Sequence, residues 1–182
     1  MDAKQLLLTR QSSPRLVAPA PNDQELNFIL DAGARAPDHG SLTPWEFIIA
    51  VDDGLERLSA IFVAAAKASG ADEAAIIKAG MTSARAPMVI TVVAKCQQHS
   101  KVPIIEQQLA AGCATMAMQQ AAFCLGLGAV WRTGDLAFSQ DVHHGLGLGE
   151  LDQIIGFLYI GTPTVVAPIK ALKPGKQFSR YI

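Results

Sequence analysis

Three short runs constrain this chain most: Phe47–Val51, Met88–Ala94 and Ile154–Ile160 are apolar almost throughout and rich in β-branched residues. A strand with one wet face alternates apolar and polar side chains, so strands of this kind must be covered on both faces. The segments between them carry helical periods, which makes the expected architecture a sheet with helices on both sides. A chain of 182 residues, 50% of them hydrophobic, should form one domain, residues 1–182, with a substantial core.

Leu26, Ile29, Leu30, Gly33 and Ala34 predict a helix with one apolar or small-residue face. Asn22 or Asp23 can cap its start, and Pro37 disfavours the α region for Ala36 and stops it. Leu58, Ile61, Phe62 and Ala65 predict a second helix from Leu55 to near Gly70, Asp72 to Gly80 a weaker third, and residues 3 to 9 a short one. The longest helical pattern runs from Ile104 to Leu127, with Gly126 and Gly128 marking its end, and Ala129–Arg132 follows as a strand. Gly161-Thr-Pro163 closes the last strand, and Pro19 and Pro21 mark a connector. The tail carries Lys170, Lys173, Lys176 and Arg180 and is either a loose end or an arm for a partner surface.

A net charge of −1 leaves no electrostatic footprint for nucleic acid. Cys96, Cys113 and Cys124 lack metal-ligand spacing and cannot all pair, which favours a reduced, cytoplasmic home and core thiols. The three leucines near the N-terminus fall short of a secretory apolar region. Leu109 to Trp131 has no charged residue over a bilayer-spanning length, yet Gln119 and Gln120 near its middle would be costly in lipid. That segment is read as a core or subunit-interface helix, with no membrane partner.

Functional groups concentrate in three places: Arg10-Gln11-Ser12, the loop from Arg35 to Trp45, and Trp131-Arg132-Thr133-Gly134. Arg10 with Ser12 offers a guanidinium and a hydroxyl suited to a phosphate, and Arg132 offers a second fork. Asp38, His39 and Ser41 invite a hydrolase triad, but neighbours in one loop rarely converge and no nucleophile elbow occurs. His143 and His144 are adjacent in a Gly-rich turn with no helical partner, which argues against a metal site. Trp45 and Trp131 suit packing, and Gly126 with Gly128 suits a C-cap better than a dinucleotide fingerprint.

Taken in order, Arg-x-Ser near the start, Ala-Arg-Ala-Pro-x-x-x-Ser-x-x-Pro-Trp-x-Phe, Gly-Leu-Gly-x-x-Trp and a late Gly-x-Pro resemble the FMN-dependent nitroreductase family. The short length, Ala-Pro-Asp-His, Val-Val-Ala-Lys-Cys and Phe-Leu-Tyr-Ile-Gly-Thr-Pro are most similar to its small YdjA-type NAD(P)H nitroreductases. The resemblance implies an α+β sandwich, a central and mainly antiparallel sheet flanked by helices, in an intertwined homodimer with two FMN sites built from both subunits. By matching positions it implies FMN contacts from Arg10, Gln11, Ser12, Arg35, His39, Trp131, Arg132 and Thr133. It assigns NADH or NADPH to Ala121, Ala122, Phe123, Cys124, Leu125 and Gly126. Arg35 or Arg15 would stand near the flavin N1. The chain departs from the family pattern at Ser41 and Thr43, where many members carry longer amides, and at Pro14, where many carry Lys.

The implied activity is ping-pong hydride transfer from NAD(P)H through flavin N5 to a nitroaromatic, a quinone or a similar flat acceptor, with no side-chain nucleophile. Two other readings share the fold: a flavin store or sensor without turnover, and an oxygen-dependent FMN oxidase. All of them require Arg10, Arg35 and Arg132 to converge on one cofactor across two subunits.

Overall fold

The computed structural model describes residues 2–165 and 167–182. Helix α1 (Ala3–Thr9) starts on Asp2, whose carboxylate accepts the Gln5 N–H at 2.8 Å. A two-residue strand, β1 (Leu16–Val17), precedes α2 (Asp23–Gly33). A capping box holds α2, with Asn22 Oδ1 accepting from the Glu25 N–H and Glu25 Oε2 from the Asn22 N–H, both at 2.9 Å. Then come β2 (Glu46–Val51), α3 (Asp53–Ala68), α4 (Glu73–Gly80) and β3 (Met88–Ala94). The chain continues through α5 (Ile104–Cys124), β4 (Gly128–Arg132), α6 (Gln140–Gly145) and β5 (Gln153–Pro163).

All strand pairs are antiparallel, and the sheet runs β2–β3–β5–β4, with β1 joined to the far end of β5. Every residue of β3 is buried, as an all-apolar central strand requires. On one face α3, α4 and α6 gather Leu58, Phe62, Ala65 and Val142 over Phe157 and Tyr159. Phe62 meets Phe157 edge-on at 5.2 Å. On the other face α2 and α5 set Ile29, Met118 and Ala122 over Ile90, Leu158 and Ile160. Gly33 lets these helices approach, because a Cβ there would stand 2.7 Å from Met118 Cγ. The α+β arrangement, helices on both sides of a central antiparallel sheet, agrees with the expected fold.

Several boundaries move. Helix α5 ends at Cys124 instead of Leu127, because Gly126 turns left-handed (φ 82°) and the Leu127 N–H reaches back to Ala122 O at 3.0 Å. Strand β5 continues through Gly161-Thr-Pro163, since Gly161 pairs with Gly128 and the last two residues pair with β1. The Gly-rich turn expected around His143 and His144 is the helix α6, started by the Ser139 hydroxyl. The three thiols are not all in the core: Cys96 is buried, while Cys113 and Cys124 are exposed. No helix among the described residues is long and apolar enough to cross a membrane.

Candidate functional site

Helix α1 delivers Arg10, Gln11 and Ser12 to the outer edge of β4. The Ser13 N–H donates to Ala129 O at 2.9 Å, and the buried Gln119 of α5 donates from Nε2 to Ser12 Oγ at 3.3 Å and to Ala129 O at 3.2 Å. One amide of the long helix thus ties the Ser12 hydroxyl to the edge strand. Gln11 reaches the other way: its Nε2 donates to Ala167 O at 2.9 Å, and its Oε1 accepts the Lys170 N–H at 3.2 Å. The tail therefore folds back, and Lys170 and Lys173 join Arg10, Gln11 and Ser12 around a cavity of ≈ 260 Å³. Three cations and the hydroxyl residues Thr9 and Ser12 line a space with room for a phosphate.

Among the described residues strand β4 pairs only with β5, and its outer edge carries no further strand. Ala129 turns its carbonyl outward to Ser13, and antiparallel alternation then turns the backbone groups of Trp131 outward too. Two residues of strand separate Ala129 from Trp131, a span of ~7 Å. A peptide edge at Trp131 thus stands a short distance from the Arg10 cavity.

Side chains of the same strand alternate between faces. Trp131 goes to the α5 side, near Gly112, and its Nε1–H donates to Ile155 O at 3.2 Å. Ile155 is the extra residue of a bulge, between Val92 paired with Gly156 and Val93 paired with Ile154. Arg132 goes to the opposite face, where its guanidinium lies 5.7 Å from the centre of the Tyr159 ring. Its Nε is buried with no hydrogen-bond partner among the described residues. Within one chain, then, Arg132 does not supply a second fork beside Arg10; with Thr133 it lines a separate cavity.

The loop after α2 is organised by Asp38, whose carboxylate accepts the N–H groups of Leu42 at 3.0 Å and Thr43 at 2.7 Å. Ser41 (φ 53°) and Thr43 (φ 46°) are left-handed without being glycine, an unfavourable backbone that the Asp38 bonds hold in place. His39 turns away from Asp38 and pairs through Nδ1 with Glu106 Oε2 at 2.6 Å, in the first turn of α5. Asp38, His39 and Ser41 consequently form no relay. Arg35 is exposed just past the end of α2 and, like His39, lines neither of these two cavities.

Of the segment Ala121–Gly126, Ala121 and Ala122 lie in the core under the sheet, whereas Cys124, Leu125 and Gly126 are exposed at the end of α5. A further polar cluster has no counterpart in the sequence reading. Lys95 pairs with Asp152 and, at 3.6 Å, with Glu46; Asp152 Oδ2 also accepts the Gly149 N–H at 2.7 Å. The Asp152 hydrogen bond holds the Lys95 ammonium above its ordinary pKa, and burial raises the Cys96 thiol. Lys95 follows β3 and Asp152 precedes β5, so only the antiparallel register, Ala94 beside Gln153, joins them. Nearby, His143 Nε2 lies 3.1 Å from Asp152 O, and its buried Nδ1 has no partner.

Residues 7–162 match the sequence model of the nitroreductase family. The chain is 50% identical over 167 residues to the Escherichia coli protein named "Putative NAD(P)H nitroreductase YdjA", covering 92% of this chain and 91% of that one. Among solved structures, a nitroreductase-like family protein from Bacillus cereus superposes with a TM-score of 0.84 at 23% identity, over 100% of this chain and 96% of its own. A nitroreductase from Desulfovibrio desulfuricans, crystallised in complex with FMN, superposes with a TM-score of 0.75 at 21% identity, over 98% and 96%.

Proposed function

The chain belongs to the nitroreductase family, and from that premise we propose that it is an FMN-dependent oxidoreductase driven by NADH or NADPH. Its acceptors would be nitroaromatics, quinones or related flat molecules. The observation that carries this reading is the stitching of Arg10-Gln11-Ser12 to the edge of β4 through Gln119 and Ala129. It sets a cationic cavity with room for a phosphate beside a free peptide edge. A ribityl phosphate in the cavity would leave a flat ring able to hydrogen-bond along that edge at Trp131.

Bound there, FMN would supply two-electron redox chemistry between the nucleotide and the acceptor. The chain's own residues hold and orient. Arg10, Lys170 and Lys173 balance a phosphate carrying close to two negative charges, and the Ser12 hydroxyl adds a short-range bond. Gln11 keeps the tail, and so its lysines, in position. Glu106 engages His39 Nδ1, which leaves Nε2 for a ligand.

Arg35 and His39 line neither the cavity around Arg10 nor the one beside Arg132, so a part for them in the site calls for a second copy. Ile105, Leu109 and Met116, 58%, 61% and 39% exposed, make an apolar stripe on the outer side of α5, with the exposed Cys113 between them. Such a stripe on an exposed helix face suits a homodimer in which one subunit's Arg35 and His39 complete the other's site. For NAD(P)H, the exposed end of the segment Ala121–Gly126 is the part able to meet the nucleotide, because Ala121 and Ala122 are buried. Two exposed thiols, Cys113 and Cys124, favour the cytoplasm.

The purified protein should be yellow and should bleach on anaerobic addition of NADH or NADPH. Absence of bleaching with both nucleotides overturns the reductase reading. Turnover with a quinone separates it from a flavin store, and nucleotide-independent oxygen uptake would mark an oxidase. Arg10→Gln should weaken FMN binding by about tenfold or more, the worth of one charge-assisted hydrogen bond.

A further inference from the structure

Glu106 lines neither of the two cavities, yet its Oε2 holds His39 Nδ1 at 2.6 Å, across 67 residues of chain. Other contacts already shape the loop that carries His39. The Asp38 carboxylate accepts the Leu42 and Thr43 N–H groups, and Gly40 rests on Val102, whose Cγ2 would stand 3.2 Å from a Cβ at position 40. Val102 is buried in turn, and Gln107 Nε2 donates to its carbonyl at 3.2 Å and to Gln97 O at 2.8 Å. Both side chains of the His39–Glu106 pair are open to water, at 59% and 43%, and so exposed a contact stabilises a fold little. What it does settle is the ring. A carboxylate only accepts, so Nδ1 carries the proton, and a neutral imidazole then keeps Nε2 bare.

We propose that Glu106 is a positioning residue: acting through His39 alone, it fixes the ring as its Nδ1–H tautomer, so that Nε2 meets the flavin of a second copy as a hydrogen-bond acceptor. Its place in the fold suits that role, since Glu106 borders the apolar stripe of α5, next to Ile105 and three residues before Leu109. The inference rests on the proposed function, which takes that stripe as the subunit interface and His39 as a group completing the partner's site. It adds which nitrogen does so, in which form, and which side chain decides it. An imidazole in water favours the Nε2–H tautomer, which would put a donor in the same place; the carboxylate reverses that choice. An isoalloxazine carries ring N–H groups as well as carbonyls, so the tautomer selects which of the two His39 engages.

Long-range proton–nitrogen NMR of the purified full chain at about pH 8.5, roughly two units above the ordinary imidazole value of ~6.5, reads the tautomer with or without bound flavin. His39 should be protonated at Nδ1 in the wild type and mainly at Nε2 in Glu106→Ala, while Glu106→Gln, which keeps a carbonyl acceptor, should restore the Nδ1–H form. FMN titrations complete the test. Glu106→Ala and His39→Ala should each weaken FMN binding about fivefold, the worth of one hydrogen bond, and the double variant should bind no more weakly than His39→Ala. An Nε2–H tautomer in the wild type, additive losses in the double variant, or FMN affinity unaltered by His39→Ala would each overturn the proposal. A protein that binds no FMN overturns the flavin reading itself, whereas one that binds FMN and keeps the same tautomer in Glu106→Ala overturns only the role of Glu106.

Discussion

Trp131 lies across Gly156: its Nε1–H bonds to the carbonyl of the neighbouring Ile155, and a Cβ at position 156 would stand 2.7 Å from Trp131 Cδ1. Gly156 also has φ 155°, a conformation that side chains rarely adopt. The bulge on β5, the indole and the edge of β4 are thus set by one residue without a side chain.

Gly156→Ala should therefore cost about 2–4 kcal/mol, from overpacking and backbone strain together. Urea unfolding measures the loss. A displaced Trp131 should also red-shift the fluorescence of the folded protein and lower its flavin content.

The outer stripe of α5 gives a test of assembly. Leu109→Lys puts a charge at its centre on a side chain that is 61% exposed in the single chain, so folding should survive while association fails. Sedimentation should show a monomer with wild-type circular dichroism and little bound flavin. A dimer with full flavin content would place the interface elsewhere.

Ser41 occupies a left-handed position, φ 53°, where Asn is better tolerated than Ser. Ser41→Asn should raise stability by about 0.5 kcal/mol, read as a small rise in melting temperature. Ser41→Val, β-branched at the same φ, should lower it by about 1–2 kcal/mol.

Alkaline pH should destabilise the fold. Cys96 and Tyr159 are raised chiefly by burial, and Lys95 chiefly by its hydrogen bond with Asp152. A raised folded pKa leaves its stabilisation intact below the unfolded value and removes it as pH climbs through the folded one. Stability should be flat with respect to these groups below the ordinary thiol range of ~8.5, then decline through ~10 and above. Denaturation midpoints from pH 7 to 11 would show it, and Lys95→Gln should flatten the upper part of the curve.

Periodicity and capping depend on near neighbours, and the sequence alone determined what they govern. The apolar run at Met88–Ala94 specifies a strand covered on both faces, whereas Phe47–Val51, read the same way, is an edge strand with only Ala50 buried and Ile49 exposed. Asn22 or Asp23 marks the start of α2, where the structure selects Asn22, and Gly126 marks the end of α5. Arg10 and Ser12 offer a guanidinium and a hydroxyl by residue type alone, and the folded-back tail adds Lys170 and Lys173 beside them. Tertiary structure decided what depends on register and on which face a side chain takes. Trp131 and Arg132 are adjacent in the chain, yet alternation along β4 sends one to α5 and the other to Tyr159. Lys95 finds Asp152 only because β3 lies beside β5, and Gln11 captures the tail from 156 residues away. Such pairings join residues far apart in sequence, so no local pattern encodes them; the packed sheet sets the partner of each charge.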